Sequence, residues 1–87
     1  MDVQALVAWN LRRLRVQRGL SQEALAVDAE IDRTYVSRLE RGLENPTVAV
    51  LERIALAVGA DVQEFFVRPR DGEEPPPTLP KGRKARR

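Results

Sequence analysis

The sequence contains no cysteine and no histidine. Their absence excludes disulfide bonds, thiolate metal sites, and every catalytic triad or metal site that depends on an imidazole. Long apolar runs are absent too, since no stretch approaches the roughly 18 residues that a membrane span requires. The acidic Asp2 also differs from the basic start of a signal peptide. We therefore expect a cytoplasmic protein that does not cross a membrane.

Catalytic and cofactor signatures are equally scarce. Ser21 and Ser37 have no histidine to act as a base, and no group of acidic residues has the spacing of metal ligands. Nothing in the sequence predicts a cofactor, a metal site or a small-molecule effector. With 87 residues, the chain has room for one small domain with a thin core. We therefore expect a binding protein and not an enzyme.

The net charge of +2 conceals an asymmetry along the chain. Residues 1–67 contain eight arginines against ten acidic residues, whereas residues 68–87 contain seven basic residues against three acidic ones. The excess positive charge therefore belongs to the C-terminal segment. Net charge alone does not predict that residues 1–67 bind nucleic acid. A prediction of such binding must rest on where the charged residues lie.

Composition changes near Arg68, where five prolines and blocks of charge replace the aliphatic pattern. Such a segment cannot bury enough apolar surface to offset the entropy lost on ordering. We predict a domain over residues 1–67 and a disordered, Pro-rich basic tail over residues 68–87. The tail could serve solubility or bind phosphates non-specifically, and both alternatives stay open.

Glycines and short polar residues divide the first 67 residues into helices. Three glycines that follow apolar-periodic runs are typical C-terminal helix caps, and four Ser, Thr or Asp residues stand where N-caps belong. These are Gly19, Gly42 and Gly59, and Ser21, Asp32, Thr47 and Asp61. The spacing predicts helices near 2–17, 22–29, 33–41, 48–58 and 62–66, with a capping box at 61–64. Since no segment alternates as a strand would, the predicted fold is all-α with five helices.

Apolar residues recur at helical spacing within each predicted helix. The predicted core is Val3, Leu6, Val7, Leu11, Leu14, Ala24, Leu25, Ala26, Val36, Leu39, Leu51, Ile54, Ala55 and Val58, closed by Phe65 and Phe66. Trp9 lies beside the main stripe of the first helix. One interpretation is that Trp9 packs at the edge of the core or against the C-terminal segment. The alternative is that it forms a contact between subunits.

The second and third helices are short and are joined by a tight turn, which is the arrangement of a helix-turn-helix unit. At 100° per residue, Val36 and Leu39 share one side of the third helix. The opposite side of that helix carries three guanidinium groups, two hydroxyl groups and no acid, from Arg33, Thr34, Ser37, Arg38 and Arg41. Arginine can donate two hydrogen bonds to guanine, and threonine can contact thymine, so this face suits a DNA groove.

Five runs of residues carry a resemblance to a known family. They are LRRLR (11–15), RGLSQE (18–23), RTYVSRLERG (33–42), and NPT (45–47) followed by LERIA (51–55). Over about residues 6–66, the chain resembles the Cro/phage-repressor (Xre) type of helix-turn-helix protein, and small restriction-modification controller proteins in particular. The resemblance implies a lambda-repressor-like fold and double-stranded DNA as the partner.

The resemblance also implies roles for individual residues. Base-reading positions would be Arg33, Thr34, Ser37 and Arg38, and phosphate-contacting positions would be Ser21, Gln22, Tyr35 and Arg41. Arg15 and Glu40 match an ion pair that ties the first helix to the third. The family often has glycine where this sequence has Glu30, because a positive φ is favoured there. As an N-cap, Asp32 would have its oxygens occupied by helix amides.

Assembly is predicted from the apolar residues that remain after the core is assigned. The fourth and fifth helices still offer several, so we predict a homodimer with Val62 or Phe66 near its axis, which would bind a palindromic operator. Regulation would then follow from promoter occupancy. The alternative is a protein-interaction or bridging module in which the arginine face is a docking surface and reads no DNA sequence.

Overall fold

Helix boundaries follow the local capping chemistry of the chain. The computed structural model describes residues 1–70. Its elements are α1 (Val3–Gln17), α2 (Gln22–Ala29), α3 (Arg33–Glu40), α4 (Val48–Val58) and a 3₁₀ helix (Val62–Phe66). No strand occurs within residues 1–70, so the all-α class is confirmed. Each boundary lies within one residue of the predicted one.

The predicted count of five helices becomes four α-helices and one 3₁₀ helix. The last segment has five residues, and Pro69 follows it closely. A segment of this length closes few i→i+4 hydrogen bonds, which favours the tighter 3₁₀ winding. Its first bond joins the N–H of Glu64 to the carbonyl of Asp61 at 3.0 Å.

Three N-caps have the side-chain hydrogen bond that defines them. The side chains of Asp2, Ser21 and Thr47 accept from the amides of Ala5, Ala24 and Val50 at 2.7, 3.0 and 3.1 Å. The three predicted C-terminal glycines have positive φ, between 67° and 74°. The termini of the helices are therefore encoded locally.

Two predicted side-chain caps are wrong. Asp32 and Asp61 precede their helices but accept no capping hydrogen bond. Their ψ angles are 142° and 148°, whereas the three working caps have ψ between 163° and 174°. At Asp61 the backbone carbonyl already accepts the amide that a capping box would use. Both carboxylates are therefore left exposed.

The core joins all four α-helices to the 3₁₀ helix. Its buried apolar residues are Val7, Leu11, Leu14, Leu25, Ala26, Ala29, Val36, Leu39, Leu51, Ile54, Ala55, Val58 and Phe65. Phe65 is fully buried, whereas Phe66 is 42% exposed, so the prediction that both phenylalanines close the core is confirmed for Phe65 alone. The prediction for Val3 is wrong: its side chain is 57% exposed, and residues 1–4 at the start of α1 are all exposed.

A buried asparagine fastens the C-terminal segment to α1. The side-chain amide of Asn10 donates to the carbonyls of Leu6, Phe65 and Val67 at 3.1, 2.8 and 2.8 Å. A buried amide group must find such partners, since leaving it unpaired is costly. Asn10 therefore sets the path of the chain after the 3₁₀ helix, a role that the sequence did not reveal.

Trp9 lies at the edge of the core, which is the first of its two alternatives. It is 9% exposed, and the guanidinium of Arg13 lies 6.0 Å from the centre of its ring.

After the 3₁₀ helix, residues 68–70 have no regular secondary structure. The remainder of the predicted tail, residues 71–87, lies outside the described residues, so that prediction stays a prediction. No helix of the described part is both long and apolar enough to span a bilayer.

Candidate nucleic-acid interface

Helices α2 and α3 are joined by a three-residue turn, residues 30–32. Glu30 has φ 60° and ψ 45°, and it is the one non-glycine residue of the described chain with a positive φ. A residue with a Cβ atom pays about 1–2 kcal/mol for this left-handed conformation. The N–H of Ile31 donates to the carbonyl of Ala26 at 3.0 Å and closes the end of α2. The turn therefore has the backbone shape that glycine favours, built with glutamate.

An arginine from α4 holds this turn. Arg53 donates from Nε to the carbonyl of Ala29 at 3.1 Å and from Nη2 to the carbonyl of Glu30. A cation at the C-terminus of α2 satisfies carbonyls that have no partner within the helix. Arg53 stands in the LERIA run, yet its partners lie more than twenty positions away, so periodicity could not identify them.

Helix α3 presents its predicted base-reading residues on one side. Val36 and Leu39 are buried at 0% and 2% exposure. Arg33, Thr34 and Arg38 are exposed, and Ser37 is half-buried. The structure thus brings the four predicted base-reading side chains to the outer surface of α3, which we call the reading face. Its guanidinium groups can donate hydrogen bonds to base edges, and its hydroxyl groups can donate or accept them.

Two acidic residues from outside α3 reach the reading face, and sequence reasoning missed both. Glu44, in the loop after α3, lies 2.7 Å from Arg38, measured from Oε2 to Nε. Glu23, on α2, lies 3.7 Å from Nε of Arg33. The prediction that α3 itself carries no acid on this side holds for residues 33–39. Helical periodicity cannot detect acids that other elements contribute.

Tyr35 and Arg41 flank the reading face. Tyr35 is half-buried, and Arg41 is exposed directly after the last residue of α3. Burial, and secondly the negative charge of Glu44, raise the pKa of Tyr35 above its ordinary value of 10.0. The tyrosine hydroxyl is therefore protonated at neutral pH and can donate a hydrogen bond.

The N-terminus of α2 carries Ser21 and Gln22, the other predicted phosphate-contacting residues. Oγ of Ser21 is engaged as the N-cap acceptor, and its hydroxyl hydrogen can still be donated. Nε2 of Gln22 donates to Oε1 of Glu40 at 3.1 Å, which fixes that side chain against α3. The exposed amides and positive dipole end of such a helix favour an anion.

Behind the reading face, a buried ion pair joins α1 to α3. Arg15 donates from Nε and Nη2 to the two carboxylate oxygens of Glu40, at 2.5 and 2.9 Å. Nη1 of Arg15 donates to the carbonyl of Leu20 at 2.8 Å, and Nε of Arg12 lies 3.6 Å from Glu40. Glu40 thereby connects α1, α2 and α3 at one point.

The residues predicted for the dimer axis differ in their surroundings. Val62 packs half-buried against the core of its own chain. Phe66 and Val67 are 42% and 50% exposed, and Leu56 on α4 is 78% exposed. Phe66 therefore has apolar surface to offer a partner, whereas much of Val62 is already covered.

No metal-binding geometry accompanies these groups within residues 1–70. In that part of the chain no three acidic side chains converge on a point that could hold a metal ion. The chemistry present is hydrogen bonding and charge. That chemistry suits the binding of a polar, anionic macromolecule.

Comparison with known proteins is consistent with this geometry. Residues 6–65 match the model of the helix-turn-helix domain family. A hypothetical transcription factor of Neisseria meningitidis serogroup B is 39% identical over 70 residues, which are 80% of this chain and 66% of that protein. The HTH-type transcriptional regulator y4dJ of Sinorhizobium fredii is 42% identical over 71 residues, covering 82% of this chain and 91% of y4dJ.

A solved structure adds a nucleic-acid complex. The restriction-modification controller protein C.Esp1396I, crystallised as a tetramer with its natural 35 base-pair operator, superposes with a TM-score of 0.69. It is 32% identical, and the match covers 76% of this chain and 87% of the controller protein.

Proposed function

Because this chain belongs to the helix-turn-helix domain family, we propose that it is a transcriptional regulator that binds a specific site in double-stranded DNA as a homodimer. The observation that carries the proposal is the reading face of α3. Its four side chains point outward from a helix that is buried on its other side by Val36 and Leu39. An isolated arginine-rich helix would be an ordinary solvated surface, but this one is held in a helix-turn-helix unit.

The proposed base contacts use Arg33 and Arg38 in the major groove. A guanidinium that donates to O6 and N7 of guanine discriminates that base by about 1–3 kcal/mol. Thr34 and Ser37 add shorter contacts to neighbouring base edges. One helix of this length reads only a few base pairs, so two copies are needed for a long site.

Phosphate contacts would position the unit on the duplex. Ser21 and Gln22 at the N-terminus of α2 would contact one strand, and Tyr35 and Arg41 would contact phosphates beside the reading face. Such contacts fix register and orientation and carry no sequence information themselves. Gln22 is well suited to this task because Glu40 already holds it in place.

Dimerisation is proposed through α4 and the 3₁₀ helix. Leu56, Phe66 and Val67 expose apolar surface that a two-fold contact would cover. The related C.Esp1396I is bound to its operator as a tetramer, which supports the use of several reading helices on one DNA. A two-fold arrangement implies an operator with palindromic half-sites.

Selection from random duplex DNA tests the proposed function. We expect the full chain to enrich a palindromic motif with a fixed half-site spacing, and to lose affinity steeply with added salt. Enrichment of no motif, with salt-insensitive or absent binding, would contradict it. That result would instead favour a protein-interaction module in which the arginine face docks a partner protein.

The dimer surface is tested by placing a charge at Leu56. Leu56→Glu should convert the dimer to a monomer of unchanged helicity, because an exposed α4 residue stabilises the partner contact and not the core. The matched control is Val27→Glu on α2, which is 75% exposed and lies outside the proposed surface. Sedimentation equilibrium measures both. A monomeric wild type at micromolar concentration, or equal loss in the two variants, would contradict the assignment.

A further inference from the structure

We infer that Glu44 determines the specificity of the proposed DNA binding, by orienting Arg38 toward its base and by repelling the phosphates that all DNA sequences share. The inference rests on the proposed function and adds a residue to it. Glu44 contacts Arg38 at 2.7 Å, the shorter of the two ion pairs on the reading face. An acid so close to a base-reading arginine must affect how that arginine meets DNA.

The geometry of the pair leaves Arg38 able to read a base. Glu44 accepts a hydrogen bond from Nε alone, so neither terminal nitrogen of Arg38 is engaged by the carboxylate. Those nitrogens carry four of the five N–H donors of a guanidinium. The ion pair therefore restrains the stem of the side chain while its end can still form two hydrogen bonds to guanine.

The backbone around Glu44 is itself anchored. The carbonyl of Glu44 accepts from Nε2 of Gln4 on α1 at 2.9 Å, and the preceding N–H of Leu43 donates to the carbonyl of Arg38 at 2.9 Å. The side chain of Glu44 is 28% exposed, against 62% for Glu23. Glu44 is therefore held in place, and its charge stays beside the reading face.

The charge of Glu44 acts on more than one DNA-contacting residue. It also contributes to the raised pKa of Tyr35, which places it within electrostatic reach of a proposed phosphate contact. Binding to arbitrary DNA depends on phosphate attraction, so a fixed carboxylate weakens it on every sequence. On the cognate site the preorganised guanine contact offsets this loss, since less side-chain freedom is given up on binding. The ratio of specific to non-specific affinity therefore rises.

The test measures that ratio with two duplexes, the one selected by the wild-type chain and a scrambled version of it. Glu44→Gln should tighten binding to the scrambled duplex by up to about fivefold, the upper end of what exposed ion pairs contribute. Binding to the selected duplex should tighten less, so the ratio falls. Glu23→Gln should lower the ratio by a smaller factor, because its pair with Arg33 is longer and more exposed.

Asp28→Asn is the matched control. Asp28 is exposed on α2 and forms no ion pair with the other described residues, and this variant removes the same charge. It should leave the ratio unchanged. In an Arg38→Ala background, Glu44→Gln should lower the ratio no more than Asp28→Asn does, because the arginine it orients is gone.

The outcomes separate this inference from the proposed function. If the wild-type chain prefers no duplex, both fail. If it prefers the selected duplex and Glu44→Gln has the wild-type ratio, or matches Asp28→Asn, only the role of Glu44 is overturned. Circular dichroism melts of each variant identify any change that arises from lost folding, and affinities are compared well below the lowest melting temperature.

Discussion

Two arginine–glutamate pairs lie on opposite sides of α3, and they differ in burial far more than in length. Arg15 and Glu40 approach to 2.5 Å with 1% and 0% of their side chains exposed. Arg38 and Glu44 approach to 2.7 Å with 44% and 28% exposed. The first pair ties helices together, and the second lies on the reading face. Burial, and not distance, separates the pair that serves the fold from the pair that we assign to recognition.

The two pairs differ in their effect on stability because burying a charge has a cost of desolvation. A buried charge that loses its partner cannot be hydrated, so breaking such a pair costs about 3–5 kcal/mol. An exposed pair is hydrated whether or not it forms, and contributes about 0.2–1 kcal/mol. Losing the pair of Arg38 and Glu44 therefore costs the fold little, whereas losing the pair of Arg15 and Glu40 destabilises it strongly.

The largest expected effect comes from breaking the buried pair. Glu40→Gln should lower the free energy of unfolding by about 3–5 kcal/mol, because the charge of Arg15 is left buried without a carboxylate. Glu44→Gln is the comparison variant and should lower it by less than about 1 kcal/mol. Urea unfolding followed by the fluorescence of Trp9, the one tryptophan, measures both. Equal losses in the two variants would contradict the distinction.

A smaller effect on stability is expected from the turn that joins α2 to α3. Glu30→Gly should raise the free energy of unfolding by about 0.5–1 kcal/mol, since relief of left-handed strain is partly offset by the entropy of glycine in the unfolded chain. Glu30→Ala keeps the Cβ atom and should give no such gain. If alanine stabilises as much as glycine, the strain at φ 60° is not the cause.

The smallest expected effect is the influence of the Glu44 charge on the pKa of Tyr35. The folded-state pKa of Tyr35 is raised, so its contribution to stability is present below pH 10 and is lost as the pH rises through the raised value. Glu44→Gln should lower this pKa, and Asp28→Asn should not. Tyrosinate absorbance reports it directly, because the chain has one tyrosine. An unchanged tyrosine titration in Glu44→Gln would show that the charge of Glu44 does not affect the pKa of Tyr35.

The helix positions could be predicted from the sequence because they depend on neighbours along the chain. Gly19, Gly42 and Gly59 mark where helices end, and Ser21 and Thr47 mark where they begin. The buried side of α3 followed in the same way from Val36 and Leu39, whose spacing places them together.

The remaining features depend on contacts between elements that are distant in sequence. Arg53 reaches the turn after α2 from α4, and Asn10 reaches the segment after the 3₁₀ helix from α1. Glu44 is a loop residue, and no periodicity indicates the direction of its side chain. For Asp32 the sequence predicted the cap position, but a ψ difference of some tens of degrees decided whether the hydrogen bond formed.

The central claim is that α3 reads DNA sequence, and the base preference of Arg38→Ala tests it most directly. The measurement is the affinity of the wild type and of this variant for every single-base change in the selected site. We predict that Arg38→Ala loses about 1–3 kcal/mol on the cognate site and loses its preference at one base position in each half-site. Uniform weakening on all sequences, with the preferences of the wild type intact, would show that Arg38 contacts phosphate and would contradict the account.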